Sequence, residues 1–139
     1  MSGISVKARL ILYHKGKILL LRQTKPNGGN YTLVGGTVEK QETARESLIR
    51  ESYEEAGIQL KPTELRLVHV LHKIKKKQTR VVLYFKAYRW EGELKARETK
   101  KFREAEWFAL DALPDQLTQT VRHVLNEYRK GVLYSELHV

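Results

Sequence analysis

Between Gly35 and Ile58 the chain sets a Gly-Gly pair, a lone carboxylate at Glu42, and the dense cluster Arg50-Glu51-Ser52-Tyr53-Glu54-Glu55 ahead of Gly57. Inside this stretch, Thr43-Ala44-Arg45-Glu46 has the form of a capping box. The Thr side chain accepts from a freed amide and Glu46 reaches back to the cap. The pattern predicts a helix that opens there and closes at Gly57, a residue suited to the left-handed cap. On that helix Glu51, Glu54 and Glu55 stand at i, i+3 and i+4, so three carboxylates share one side. Like charges so placed repel, and folding does not call for them. A hard divalent cation rewards them, because Mg²⁺ prefers oxygen ligands and is usually held by a few carboxylates plus substrate phosphates. The competing explanation is a solvated helix face in which Arg50 and Glu54 form an ordinary i,i+4 ion pair. It accounts for some of the charges but not for their fixed distance to Gly36 and Glu42.

The spacing resembles the Nudix box over residues 36–58: Gly, five residues, Glu, seven residues, Arg-Glu, an aliphatic, any residue, Glu-Glu, any residue, Gly, an aliphatic. It falls on Gly36, Glu42, Arg50, Glu51, Glu54, Glu55, Gly57 and Ile58. Ser52 stands where the family has an aliphatic, between Leu48 and Ala56 at helical spacing. The lost apolar contact is expected to cost about 1 kcal/mol of local packing without touching a ligand. Val34 stands where many family members carry Pro before the two glycines. Neither departure removes a chemical group.

The resemblance implies an α/β fold of the Nudix type, an α/β/α sandwich whose mixed sheet is flanked by the box helix and a C-terminal helix. It implies hydrolysis of a nucleoside diphosphate linked to another group, by attack of water on phosphorus. Mg²⁺ is the implied cofactor, with Mn²⁺ able to substitute. Glu54 and Glu55 are the leading ligands and Glu51 the next, with the Gly35 carbonyl and Glu42 assisting. Arg50 is expected to orient a box carboxylate by paired hydrogen bonds. In some family members a box Glu is the general base and in others a carboxylate from a later loop is. Glu98 is the first later candidate, with Glu93 and Glu104 behind it, although Lys100 and Lys101 stand at positions where the resemblance leads one to expect an acid. Arg22 is expected to hold distal phosphates. Tyr31 would either stack on a base or support the glycine turn.

At 139 residues the chain fits one domain, spanning 1–139. Ile4, Val6, Ala8, Leu10 and Leu12 alternate with Ser5, Lys7 and Arg9, as in a half-buried strand. His14 to Lys17 turn into a second strand over 18–21, and Thr24 to Asn30 read as a loop. A short extended piece over 31–34 is expected to deliver a Gly-Gly turn. Strands are predicted over 65–74 and 80–90, joined by Lys75-Lys76-Lys77-Gln78, then a loop over 91–103 and a short strand over 106–108. Leu117, Val121, Val124, Leu125 and Tyr128 follow helical spacing up to Gly131.

There is no Cys, which excludes disulfides and thiolate chemistry. None of the five His has ligand spacing with another plus a carboxylate, which argues against a His-bound zinc. No apolar run approaches the roughly 20 residues of a membrane span, and no secretory signal is visible, so a cytoplasmic location is the default expectation. The net charge is +10, yet six of the 16 acids lie at Glu39, Glu42, Glu46, Glu51, Glu54 and Glu55. An acidic island in a basic surface would draw phosphorylated anions to a metal-loaded pocket. The same field attracts nucleic acid without specificity. Lys73, Lys75, Lys76, Lys77 and Arg80 read as a solvated hairpin tip rather than an RNA contact, because no aromatics are interleaved.

The expected partner is therefore a small nucleotide, ahead of nucleic acid, with no membrane partner and a monomer or homodimer as the assembly. The leading function is cleavage of a nucleoside triphosphate to monophosphate and pyrophosphate. The alternatives are a sugar-nucleotide pyrophosphatase acting on ADP-ribose and an RNA-binding module that kept the fold.

Overall fold

In the computed structural model, which describes residues 3–139, the alternation of the first strand decides the layering. Strand β1 (Ile4–His14) sends Ala8, Leu10 and Leu12 into one buried cluster and Ile11 into another on its opposite face. Strand β2 (Lys17–Gln23) does the same, with Leu19 and Leu21 on the first side and Ile18 and Leu20 on the second. The first cluster takes Leu48 and Ala56 of helix α1 (Ala44–Ala56); the second takes Val121, Val124 and Leu125 of helix α2 (Gln119–Arg129). A sheet apolar on both faces must be covered on both. The expected helix–sheet–helix sandwich is the result.

The remaining strands are β3 (Tyr31–Thr32), β4 (Val34–Thr37), β5 (Arg66–Lys75), β6 (Gln78–Ala87), β7 (Phe102–Ala109) and β8 (Tyr134–His138). The path runs β3-β2-β1-β6-β5-β8, with β4 beside β1 and β7 beside β2. The sheet is mixed: β1 with β6 and β5 with β8 are parallel, the other pairs antiparallel. β1 serves two strands along one edge. Its C-terminal end pairs with β2 only at Tyr13↔Ile18 and His14↔Lys17, while Lys7 to Leu10 pair with β4. The two strands diverge after the hairpin, and β4 fills the wedge.

Several boundaries differ from the sequence reading. Gly35 and Gly36 form no turn; they are strand residues opposite Arg9 and Ala8. The expected short strand at 106–108 extends to Phe102 because the whole of β7 pairs with β2. Leu117 precedes α2 and bridges to Tyr31. In the basic hairpin, Lys75, Lys76 and Lys77 are exposed as expected, with Lys76 and Lys77 in the left-handed turn, but Lys73 and Arg80 turn inward. Strand β8 was not expected, since its buried position is a polar Ser135. That residue is held by chemistry that periodicity does not register: the Ser135 hydroxyl lies 2.8 Å from Nε2 of the buried His69 and 3.1 Å from Nε2 of His123. His69 Nδ1 lies 2.8 Å from the Val132 carbonyl. No helix among the described residues is long and apolar enough to cross a membrane.

Ser52 lies where the sequence placed it, on the sheet-facing side of α1. It is fully buried, and its hydroxyl has no hydrogen-bond partner among the described residues. A buried orphan hydroxyl costs about 1–3 kcal/mol against an apolar group of similar size. Ser52→Ala is therefore expected to stabilise the protein by about 1 kcal/mol, raising Tm by roughly 4 °C in a thermal melt. A lowered Tm would show that the hydroxyl is satisfied.

Candidate metal centre

Helix α1 starts and stops as its sequence dictates. The Thr43 hydroxyl accepts from the Glu46 amide at 3.1 Å, and the Glu46 carboxylate accepts from the Thr43 amide at 2.8 Å. Gly57 caps the other end at φ 71°, its amide donating to the Tyr53 carbonyl at 3.0 Å. These ends fix the rotation of the helix over β4. The Gly35 amide donates to Glu55 Oε1 at 3.0 Å. A Cβ on Gly36 would come within 2.8 Å of the Glu51 carboxyl carbon, so any side chain there would displace that carboxylate. The glycine pair is thus the floor on which two helix acids rest.

A third acid arrives from the loop between β6 and β7. Backbone bonds tie this loop to the end of α1: the Arg97 amide donates to the Glu55 carbonyl at 2.9 Å and the Lys95 amide to the Ala56 carbonyl at 3.1 Å. The absent side chain of Gly57 leaves room for the Arg97 side chain and the Glu93 carbonyl. The Arg97 guanidinium lies over the Tyr53 ring, 5.3 Å from its centroid. So tethered, Glu98 joins Glu51 and Glu55, each offering one oxygen within 4.8 Å of the others.

Two features fit a hard divalent cation. Glu98 Oε1 is buried without a hydrogen-bond partner among the described residues, while Oε2 pairs with Lys101 at 3.4 Å. An unpaired buried carboxylate oxygen is costly, and converging carboxylates lower that cost by sharing a cation. Glu55, 3% exposed, has its carboxyl pushed up to about 8 by burial, against the opposing hydrogen bond from Gly35 and with the Glu51 charge adding to the rise.

Arg50 reaches four acids. It grips Glu42 with two bonds, Nε to Oε2 at 3.0 Å and Nη2 to Oε1 at 2.8 Å. Nη1 donates to Glu51 at 2.9 Å and lies 3.4 Å from Glu54; Glu39 is 3.7 Å away. The Arg50 bonds, aided by the Glu39 amide, hold the Glu42 carboxyl down at about 2. Glu42 and Glu54 lie outside the three-oxygen group, Glu54 with its side chain 46% exposed. The Gly35 carbonyl accepts from Arg9 at 3.3 Å.

Arg22 and Tyr31 form a separate cluster. Arg22 lies over the Tyr31 ring, 5.1 Å from its centroid, and pairs with Glu104 at 3.5 Å. Tyr31 is 6% exposed, meets Phe108 edge-on, and donates its hydroxyl to Glu106 at 2.5 Å. Glu93 and Glu104 do not join the three-oxygen group. A larger cavity of about 650 Å³ opens beside His14, Tyr88 and Trp90, but none of the three converging carboxylates lines it. Sequence reasoning passed over Arg9 and Arg97. Arg9 stands on the polar phase of β1, which could have marked it; the loop packing of Arg97 left no periodic signal.

The family model described as NUDIX domain matches residues 3–128. A curated relative, the NAD-capped RNA hydrolase NudC of Pectobacterium carotovorum, is 32% identical over 106 residues, 76% of this chain and 39% of the relative. The chain thus spans about two-fifths of the length of that relative. Among solved structures, a MutT NUDIX hydrolase from Burkholderia pseudomallei matches with a TM-score of 0.81 at 30% identity, covering 90% of this chain and 98% of that one. The MutT protein from Methanosarcina mazei matches at 0.79 and 20% identity over 93% and 95%, a likeness of fold alone.

The raised Glu55 carboxyl gives a pH test. Between the ordinary value of 4.5 and about 8, the folded state holds a proton that the unfolded state has lost. Stability of the cation-free protein therefore falls as pH rises through that window. Melts in chelator are expected to show a lower Tm at pH 8 than at pH 5.5. Glu55→Gln should flatten the difference, and excess Mg²⁺ should restore wild-type stability at pH 8. A flat wild-type profile would contradict the burial of an unpaired acid.

Proposed function

The chain belongs to the Nudix family of hydrolases, and from that premise we propose that it is a Mg²⁺-dependent pyrophosphohydrolase cleaving a nucleoside triphosphate to monophosphate and pyrophosphate. The observation that carries the reading is the convergence of Glu51, Glu55 and Glu98, with one buried Glu98 oxygen left unpaired. Glu51 and Glu55 would hold the cation, with Glu54 adding a carboxylate at the exposed edge, Glu42 and the Gly35 carbonyl assisting, and the unpaired Glu98 oxygen beside them left to face a bound water. A divalent ion bound there neutralises phosphate oxygens and acidifies a water. Arg50 holds Glu51 in place while keeping Glu42 ionised. Glu98 is the residue we assign to take the proton from the attacking water. Its tether to the end of α1 fixes its position relative to Glu55.

The choice of a triphosphate rests on Arg22, which is partly exposed and meets its nearest acid, Glu104, at the long distance of 3.5 Å. It is thereby available to distal phosphates. Tyr31 supports Arg22 from below rather than stacking on a base, since its ring is buried. The similarity to a NAD-capped RNA hydrolase favours a second reading, in which the pyrophosphate joins a nucleoside to a second sugar or nucleoside, as in ADP-ribose or at a capped RNA end.

Steady-state kinetics with a nucleotide panel and Mg²⁺ separate these readings. Glu98→Gln is expected to lower kcat by about 10²–10⁴-fold while the fold survives, as loss of a general base does. A loss below tenfold would return that role to a box Glu. Glu54→Gln is expected to raise the Mg²⁺ concentration needed for half-maximal rate, and full wild-type activity in excess chelator would sink the metal assignment.

A second measurement tests the substrate. Arg22→Ala is expected to lose about 2 kcal/mol of transition-state stabilisation selectively on triphosphates, as removal of a charge-assisted contact does. An equal loss on ADP-ribose would place Arg22 in the shared scaffold. Faster wild-type turnover of ADP-ribose than of any triphosphate would promote the second reading.

A further inference from the structure

On the α2 side of the sheet, Lys7, Arg9, Lys73 and Arg80 line one cavity of about 170 Å³. Pockets that take drug-sized molecules run to about 300–1,000 Å³ and are mostly apolar. This one is too small for a base with its sugar, and no carboxylate lines it. Four cations brought together with no carboxylate in the lining repel one another. Burial, then Arg9, Arg80 and Lys73, lower the Lys7 ammonium to about 8. Burial, then Arg80, Lys75 and Arg9, lower Lys73 as well. Lys73 is held by Thr120 at 2.6 Å and Arg9 by the Leu33 and Gly35 carbonyls at 3.0 and 3.3 Å, all neutral partners. Lys7 and Arg80 have no hydrogen-bond or ion-pair partner among the described residues.

The cavity is joined to the metal centre through one short element. Lys7 and Arg9 stand opposite Thr37 and Gly35 in the β1–β4 ladder. The same Gly35 donates its amide to Glu55 and offers its carbonyl to Arg9. The Glu51 charge reaches Lys7 and the Arg9 charge reaches Glu55, so the two sets lie close enough for one polyanion to meet both.

We propose that Lys7, Arg9, Lys73 and Arg80 form an anion subsite that takes a phosphate of the substrate lying outside the two joined by the scissile anhydride. This rests on the pyrophosphohydrolase reading and narrows it to substrates carrying such a group. The terminal phosphate of a linear polyphosphate, a phosphate on the ribose, and the first phosphodiester of an RNA all have that chemistry.

The test has a binding arm and a kinetic arm. In excess chelator, calorimetry with inorganic tripolyphosphate reads the subsite without the metal. Wild type is expected to bind, and Lys73→Met and Arg80→Met each to weaken binding about tenfold, as loss of a charge-assisted contact does. No binding by wild type, or undiminished binding by the double variant, overturns the proposal. In the kinetic arm, kcat/KM is compared within pairs differing by one phosphate: a nucleoside triphosphate against its diphosphate, ADP-ribose against its 2′-phosphate, and a capped RNA against the free cap. At least one pair is expected to favour the phosphorylated member about tenfold, with Arg80→Met collapsing that ratio. The favoured pair identifies the source. Turnover without preference in any pair overturns the subsite and leaves the pyrophosphohydrolase reading standing. Absence of turnover on every nucleotide overturns that reading, and the calorimetry then decides the subsite alone.

Discussion

The bond from the Gly35 amide to the buried Glu55 carboxylate is the joint on which the centre depends. It crosses from strand β4 to helix α1, as does the longer bond from the Ser47 hydroxyl to the Thr37 carbonyl at 3.3 Å, and it is the leading interaction opposing the desolvation of Glu55. Buried acids normally ionise only when paired or hydrogen-bonded. A single amide gives partial compensation, so the carboxyl stays hard to ionise without a cation. The arrangement trades stability for readiness: the fold holds the acid in place, and the charge it needs must come from outside.

That trade recurs across the molecule. Arg50 spends its guanidinium on Glu42 and Glu51 and so relieves part of the repulsion among the box acids. Without it, the helix would carry several unopposed carboxylates along one side. The apolar cores bear none of this burden. Leu10, Leu12, Leu48 and Ile58 on one face, and Ile11, Leu20, Val124 and Leu125 on the other, are fully or almost fully buried. The repulsion of like charges is kept outside them, among the acids on the C-terminal half of α1 and among Lys7, Arg9, Lys73 and Arg80.

The helix was legible to the residue because its caps are local chemistry: Thr43, Glu46 and Gly57 each act within a few positions. The carboxylates were legible as a set because helical spacing put them on one side. What could not be read was which of them converge. Glu54 is as close to Glu51 in sequence geometry as Glu55 is, yet only Glu55 is drawn inward, since the Gly35 amide lies on its side. Glu98 was placed among candidates by its loop, and its tether to the Glu55 carbonyl depends on contacts some 40 positions apart in the chain. The glycine pair was misread as a turn because the same residues suit both, and only the divergence of β2 from β1 opens an edge for β4. Strand β8 escaped because its inward residue is Ser135, whose burial depends on His69 and His123.

The last turn of α1 has a consequence for assembly. Its terminal carbonyls, at Glu55 and Ala56, are the acceptors that anchor the loop bearing Glu98. Helix ends fray more readily than helix centres, and here fraying would displace the Glu55 carboxylate and release the loop bearing Glu98 together. The centre therefore exists whole or not at all. A chain whose helix is one turn short would lose Glu55 and the anchor of the Glu98 loop at once.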